Sequence, residues 1–139
     1  MTRIDFYVTG SVEPHARERL ACRIAEKAVA SGQRLHIHAL DESVLATLDE
    51  LLWTFRDVSF LPHARLGSDD SVPVTLGAES APEPLPQVLI NLAAEIPGFF
   101  SRFERVVEIV SANPGERELG REHFRFYRDR GYPLQHHNV

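Results

Sequence analysis

The chain has 139 residues, 43% of them hydrophobic, with 15 Lys plus Arg against 20 Asp plus Glu and a formal net charge of −5. That length suits one domain with a core of its own, and the single cysteine, Cys22, excludes an intramolecular disulfide and fits a reduced cytosolic protein. Net acidity argues against a protein whose main work is gripping nucleic-acid phosphates, and with neither an apolar run of the ~20 residues a membrane span needs nor a signal-like start, the expected location is cytoplasmic, away from membranes.

Ile4 to Val8 reads as a short buried strand, closed by a turn at Thr9, Gly10 and Ser11. Pro14 suits a first helical turn, where its missing N–H has no partner to lose. Ala16, Leu20, Ala21, Ile24, Ala28 and Val29 then supply the apolar stripe of a helix that ends at Gly32, with Cys22 packed on it as a small hydrophobe. Leu35 to Ala39 is a second strand, and because side chains alternate, His36 and His38 share one face of it. Asp41 caps the next helix, with Glu42 in its first turn. Val44, Leu48, Leu51, Leu52 and Phe55 fall within a sector of roughly 100°, the width of a core-facing stripe, and Trp53 points away from it. Phe60, Leu61 and Pro62 follow in a segment that proline takes out of the helix.

From Leu61 to Pro86 loop residues dominate, interrupted by Val72 to Leu76, a short strand assigned to a sheet edge because Pro73 cannot donate to a ladder. Val88 to Leu92 is another strand. Pro97 and Gly98 open a turn or short helical piece with Phe99, Phe100 and Phe103, and Val106 to Val110 is the last strand. Strands alternating with helices predict an α/β fold: a single three-layer, Rossmann-like domain over residues 1–133, its mainly parallel sheet flanked by helices. Residues 134–139, with His136 and His137, are expected as a flexible tail.

The final helix opens at Asn113 and Pro114. On its wheel Leu119, His123, Phe126 and Tyr127 face the core, while Arg117, Arg121, Phe124, Arg125 and Arg128 share the opposite side. A basic stripe on an acidic chain points to a local acidic partner. Glu118, Glu122 and Asp129 lie beside it, so a solvated, ion-paired face is the competing reading.

Catalytic signatures are missing. There is no phosphate-binding glycine loop beyond the lone Gly10 turn and no G-x-S-x-G elbow. His36 and His38 have no carboxylate or cysteine at ligand spacing, and Asp49 and Glu50 point about 100° apart on a helix, which does not make an acid–base dyad. The expectation is no active site, no metal and no cofactor.

One combination is more specific. LDE-x-LW (Leu48, Asp49, Glu50, Leu52, Trp53) followed by SF-x-PH (Ser59, Phe60, Pro62, His63), with Phe6 and Tyr7 on the opening strand and Arg121, Glu122, Tyr127, Arg128 and Gly131 at the end, resembles the chi subunit of bacterial DNA polymerase III. The resemblance covers nearly the whole chain and is weakest from Ala64 to Pro86. It implies a non-catalytic accessory subunit that binds the acidic C-terminal tail of single-stranded-DNA-binding protein and links it to the clamp loader. It implies two further partners, the psi subunit and a DNA-repair helicase, with DNA met only indirectly. Its tail-binding pocket would fall on Trp53, Phe60, Pro62, Val110, Arg117, Arg121, Phe124, Arg125 and Arg128. Arg121, central in the stripe, would clamp the terminal carboxylate; Phe124 stands where the family can have tyrosine. Two other readings compete: a single-stranded nucleic-acid-binding module using the same arginines with Trp53 and Phe124 as stacking platforms, and a nucleotide enzyme working at the Gly10 turn.

Overall fold

A computed structural model describes residues 1–54, 61–69 and 71–139. Phe55, Ser59 and Phe60, given roles above, lie outside the described residues. The elements are β1 (Arg3–Val8), α1 (Ala16–Ala30), β2 (Leu35–His38), α2 (Glu42–Thr54), β3 (His63–Arg65), β4 (Val74–Gly77), β5 (Val88–Asn91), β6 (Arg105–Val110), α3 (Pro114–Asp129) and β7 (Leu134–Asn138), with one 3-10 turn at Phe100–Arg102. All strands pair in parallel in one sheet of order β3-β4-β2-β5-β6-β1-β7. This is the three-layer α/β architecture that the alternating pattern predicts.

The layers follow from side-chain parity. On one face Leu20, Ile24, Leu48 and Leu52 of α1 and α2 meet Leu35, Ile37, Leu76, Ile90 and Val107 of the sheet. On the other, Tyr127 of α3 and Phe100 meet Ile4, Phe6, Leu89 and Val106. The inner strands β2, β4 and β5 are buried along their whole length, as a sheet covered on both faces requires. Cys22 is wholly buried, and burial pushes its thiol up to about 12, which leaves it a packing group rather than a nucleophile.

Local chemistry sets the helix ends. Pro14 lies just before α1, whose first helical residue is Ala16. At the other end Gly32 adopts φ 84°, and the Gln33 N–H donates to the Ala28 carbonyl at 2.9 Å, closing the helix in a Schellman turn. Asp41 Oδ1 accepts from the Ser43 N–H at 2.9 Å, and Asn113 accepts from the N–H groups of Gly115 and Glu116 with Pro114 at the first helical position.

The sheet edges differ from expectation. β4 is not an edge, because the three residues His63–Arg65, read as loop, form β3 outside it. Pro73 stands before β4, its missing donor outside the ladder, and its carbonyl accepts from the Leu35 N–H at 2.9 Å. Residues 134–138, expected within a flexible tail, form β7 against the open side of β1, bracketed by Ile4 N–H to Pro133 and Val139 N–H to Val8 at 2.9 Å each. LQHHN carries almost no hydrophobic pattern because backbone pairing, not side-chain burial, holds it. No helix among the described residues is long and apolar enough to cross a membrane.

Candidate partner-binding groove

α3 lies on β6 and β1 closely enough to need a glycine. A Cβ on Gly120 would stand 2.6 Å from Val110 Cγ2, inside contact distance. Phe124 follows one turn later and meets the ring of Phe6 edge-on, centroids 5.5 Å apart. The result is a groove of about 610 Å³, floored by Phe6, Val8, Val110 and Phe124, rimmed by Arg117, Arg121, Arg125 and Arg128, with His136 of β7 on its far side.

A buried polar network fixes the helix that carries the arginines. Glu108 of β6 is 4% exposed and receives three donors: the Tyr127 hydroxyl at 2.8 Å, Asn91 Nδ2 at 3.0 Å and His123 Nδ1 at 2.9 Å. His123 Nε2 faces the Ala94 carbonyl at 2.7 Å, so both ring nitrogens meet acceptors and the ring is held as imidazolium. Burial alone would lower the His123 pKa, but the hydrogen bond and charge of Glu108 raise it overall. Through His123 and Tyr127 this carboxylate ties α3 to β6 at two points one turn apart.

Below the groove, β7 is tied to the sheet through Asp5. This side chain is nearly fully buried and accepts from Arg105 Nε at 2.5 Å and, through its other oxygen, from His137 at 3.3 Å. Burial would raise its pKa, but Arg105 and His137 together hold it below the ordinary value.

Not all the rim arginines are equally available. Arg121 pairs with Glu118 at 3.2 Å and Arg128 with Asp129 at 3.1 Å. Among the described residues, Arg117 and Arg125 have no acidic partner.

The structure therefore brings together Val110, Arg117, Arg121, Phe124, Arg125 and Arg128 and places Trp53 and Pro62 elsewhere. Trp53, 50% exposed, packs its ring 4.6 Å from that of His63 at the β3 edge. From β3 to β1 is five strand steps, roughly 24 Å at the usual spacing, and α2 covers the opposite face from α3. One small pocket does not span that gap. At the β3 edge the motif residues Asp49 and His63 bond to each other at 2.8 Å, fastening the end of α2 to β3. His136, Phe6, Val8 and Gly120 are groove residues that the helix wheel could not reach, since three of them lie on strands and the fourth has no side chain.

Two other candidates have different chemistry. His36 is buried and bonded to Thr75 Oγ1 at 2.7 Å, and burial lowers the pKa of His38, so both histidines belong to the interior. The crevice at the carboxyl ends of β1 and β6, beside the Gly10 turn, is where open α/β sheets bind ligands. Here it is lined by Glu13, Glu18 and Glu116 with a single arginine, Arg17, which disfavours a phosphate.

Comparison with known proteins agrees on one family. Residues 1–135 match the family described as DNA polymerase III chi subunit, HolC. The chain is 46% identical over 139 residues to DNA polymerase III subunit chi of Pseudomonas aeruginosa, covering 100% of this chain and 98% of that protein. It is 33% identical over 122 residues to the subunit of the same name in Escherichia coli (86% and 83% covered) and 28% identical over 127 residues to that of Haemophilus influenzae (88% and 87%).

Proposed function

Because the chain belongs to the DNA polymerase III chi subunit family and is thus an accessory subunit in replication, we propose that it acts without catalysis by holding the acidic C-terminal tail of single-stranded-DNA-binding protein in the α3 groove. The observation that carries this reading is an apolar floor bordered by four guanidinium groups, two of which, Arg117 and Arg125, have no acidic partner among the described residues, while Arg121 and Arg128 have only exposed ones. An acidic peptide ending in an aromatic residue is its complement: the ring fills the floor, and the carboxylates take charge-assisted bonds from the rim. Arg121 is the proposed clamp for the terminal carboxylate. Its pair with Glu118 is solvent-exposed and of the kind worth ~0–1 kcal/mol, so a ligand carboxylate can replace it.

An adaptor needs a second surface. Trp53 and Pro62, exposed at the far edge, have the composition of a protein contact. We assign that edge to the link with the clamp loader, through the psi subunit where one is present, or to a DNA-repair helicase. DNA is then reached through the coated strand rather than directly. The stacking-platform alternative loses support because Phe124 is engaged by Phe6 and Trp53 sits on the opposite face from the arginines.

The test is fluorescence anisotropy with a labelled peptide carrying an acidic run and a terminal Pro-Phe. Arg121→Ala weakens binding by about 1.5–3 kcal/mol, the range for losing a hydrogen bond to a charged group. Unchanged affinity would remove Arg121 from the site.

A further inference from the structure

The C-terminal strand is more than the last strand of the sheet. We propose that β7 forms the second wall of the groove and that His136 grips the carboxylates of the bound acidic segment from the side opposite Arg125. This rests on the groove being the tail's binding site.

Register and parity place the side chain. β7 pairs with β1 so that His136 lies beside Phe6, and the Phe6 ring meets Phe124 of α3. His136, Phe6 and Phe124 therefore stand at one level across the groove. Alternation separates His136 from its neighbour: Leu134 packs into the cluster under α3, as does the face bearing His136, whereas His137 points the other way, stacks on Tyr7 at 4.5 Å and reaches Asp5. His136 accordingly lines the groove.

The unspent chemistry is on these two rims. His123 and His137 both have acceptors. His136 is exposed and makes no hydrogen bond or ion pair with any described residue, and the same is true of Arg125. An imidazole N–H on one rim and a guanidinium on the other give a carboxylate donors from two directions, above a floor that accepts the apolar side chain. Arginines on one helix face alone would attract an acidic segment without fixing its position across the groove. A donor on β7 fixes it, and so makes the end of the chain part of the recognition surface.

The same labelled acidic peptide, titrated against the full chain, separates the possibilities. His136→Ala weakens binding about tenfold, the effect of ~1.4 kcal/mol, while His136→Lys, which puts an N–H donor back on that rim, recovers most of it. Gln135→Ala, on the opposite face of the same strand, leaves affinity unchanged. A wild-type protein that binds, with His136→Ala binding equally well, overturns the inference and leaves the groove assignment standing. Equal weakening by Gln135→Ala and His136→Ala, with matching losses in melting temperature, also overturns it, because β7 would then act only as scaffold. No binding by the wild type overturns the underlying reading itself.

Discussion

The two edges of the sheet are built from different materials. At the β7 edge, β7 pairs with β1 along its length and is tied down by His137 on Asp5 and Tyr7, and the neighbouring helix is pinned by Glu108, a carboxylate with three donors. At the β3 edge the strand has three residues, and its side-chain fastenings to α2 end on exposed carboxylates: His63 bonds to Asp49, whose side chain is 48% exposed, and Arg65 to Glu42, whose side chain is 76% exposed. The first arrangement gives a rigid support for charged side chains, while the second leaves a half-exposed aromatic at the surface. An adaptor that holds an acidic tail on one side and a protein face on the other would need that division.

The sharpest way to break the contrast is Glu108→Ala. It strands a buried imidazolium, a tyrosine hydroxyl and an amide, and should lower unfolding free energy by about 3–5 kcal/mol in urea denaturation. Asp49→Ala at the other edge removes a partly exposed partner and should cost below about 1 kcal/mol. Equal costs would show that the two edges are not differently anchored. Next in size is Gly120→Ala. Its methyl would collide with Val110, an overpacking worth about 1–3 kcal/mol, and by lifting α3 it should also weaken peptide binding. A stabilised variant with full affinity would mean that the close approach of helix and strand does not shape the groove.

The same contrast has a pH signature. The pKa of His123 is raised on folding, so the stability it contributes is fully present below its unfolded value of about 6.5 and is lost as pH climbs through the raised folded value. Urea midpoints should decline across that window in the wild type and more weakly in His123→Gln. A wild-type midpoint flat through that window would count against the imidazolium at this site. Smallest of all is the effect of Trp53→Ala on tail binding: with the ring some five strand steps away, affinity should stay within about twofold, a difference below ~0.4 kcal/mol. A tenfold loss would rejoin the two edges into a single site.

Much of this was legible in the sequence. Short apolar runs located the main strands, Asn113-Pro114 and Gly32 marked helix ends, and the wheel of α3 separated His123 and Tyr127 from the arginines. The edges were harder to read for a common reason. β3 and β7 owe their existence to pairing with β4 and β1, and neither His63–Arg65 nor LQHHN has a side-chain pattern that announces a strand. The site was legible as a list but not as a place. A family pocket carried over residue by residue merges groups that the sheet order separates, and it omits Phe6, Val8 and His136, which converge only after distant strands pair. Ion pairing was equally out of reach: that Arg121 has Glu118, while Arg117 and Arg125 have no acid partner among the described residues, depends on rotamers.

The most direct measurement is titration with the peptide ending in free Pro-Phe beside the same peptide amidated at its C-terminus. A groove that clamps a terminal carboxylate should bind the first in the micromolar range and lose at least tenfold in affinity, about 1.4 kcal/mol, for the second. Equal binding of both, or binding to bare single-stranded DNA in place of either peptide, would contradict the account.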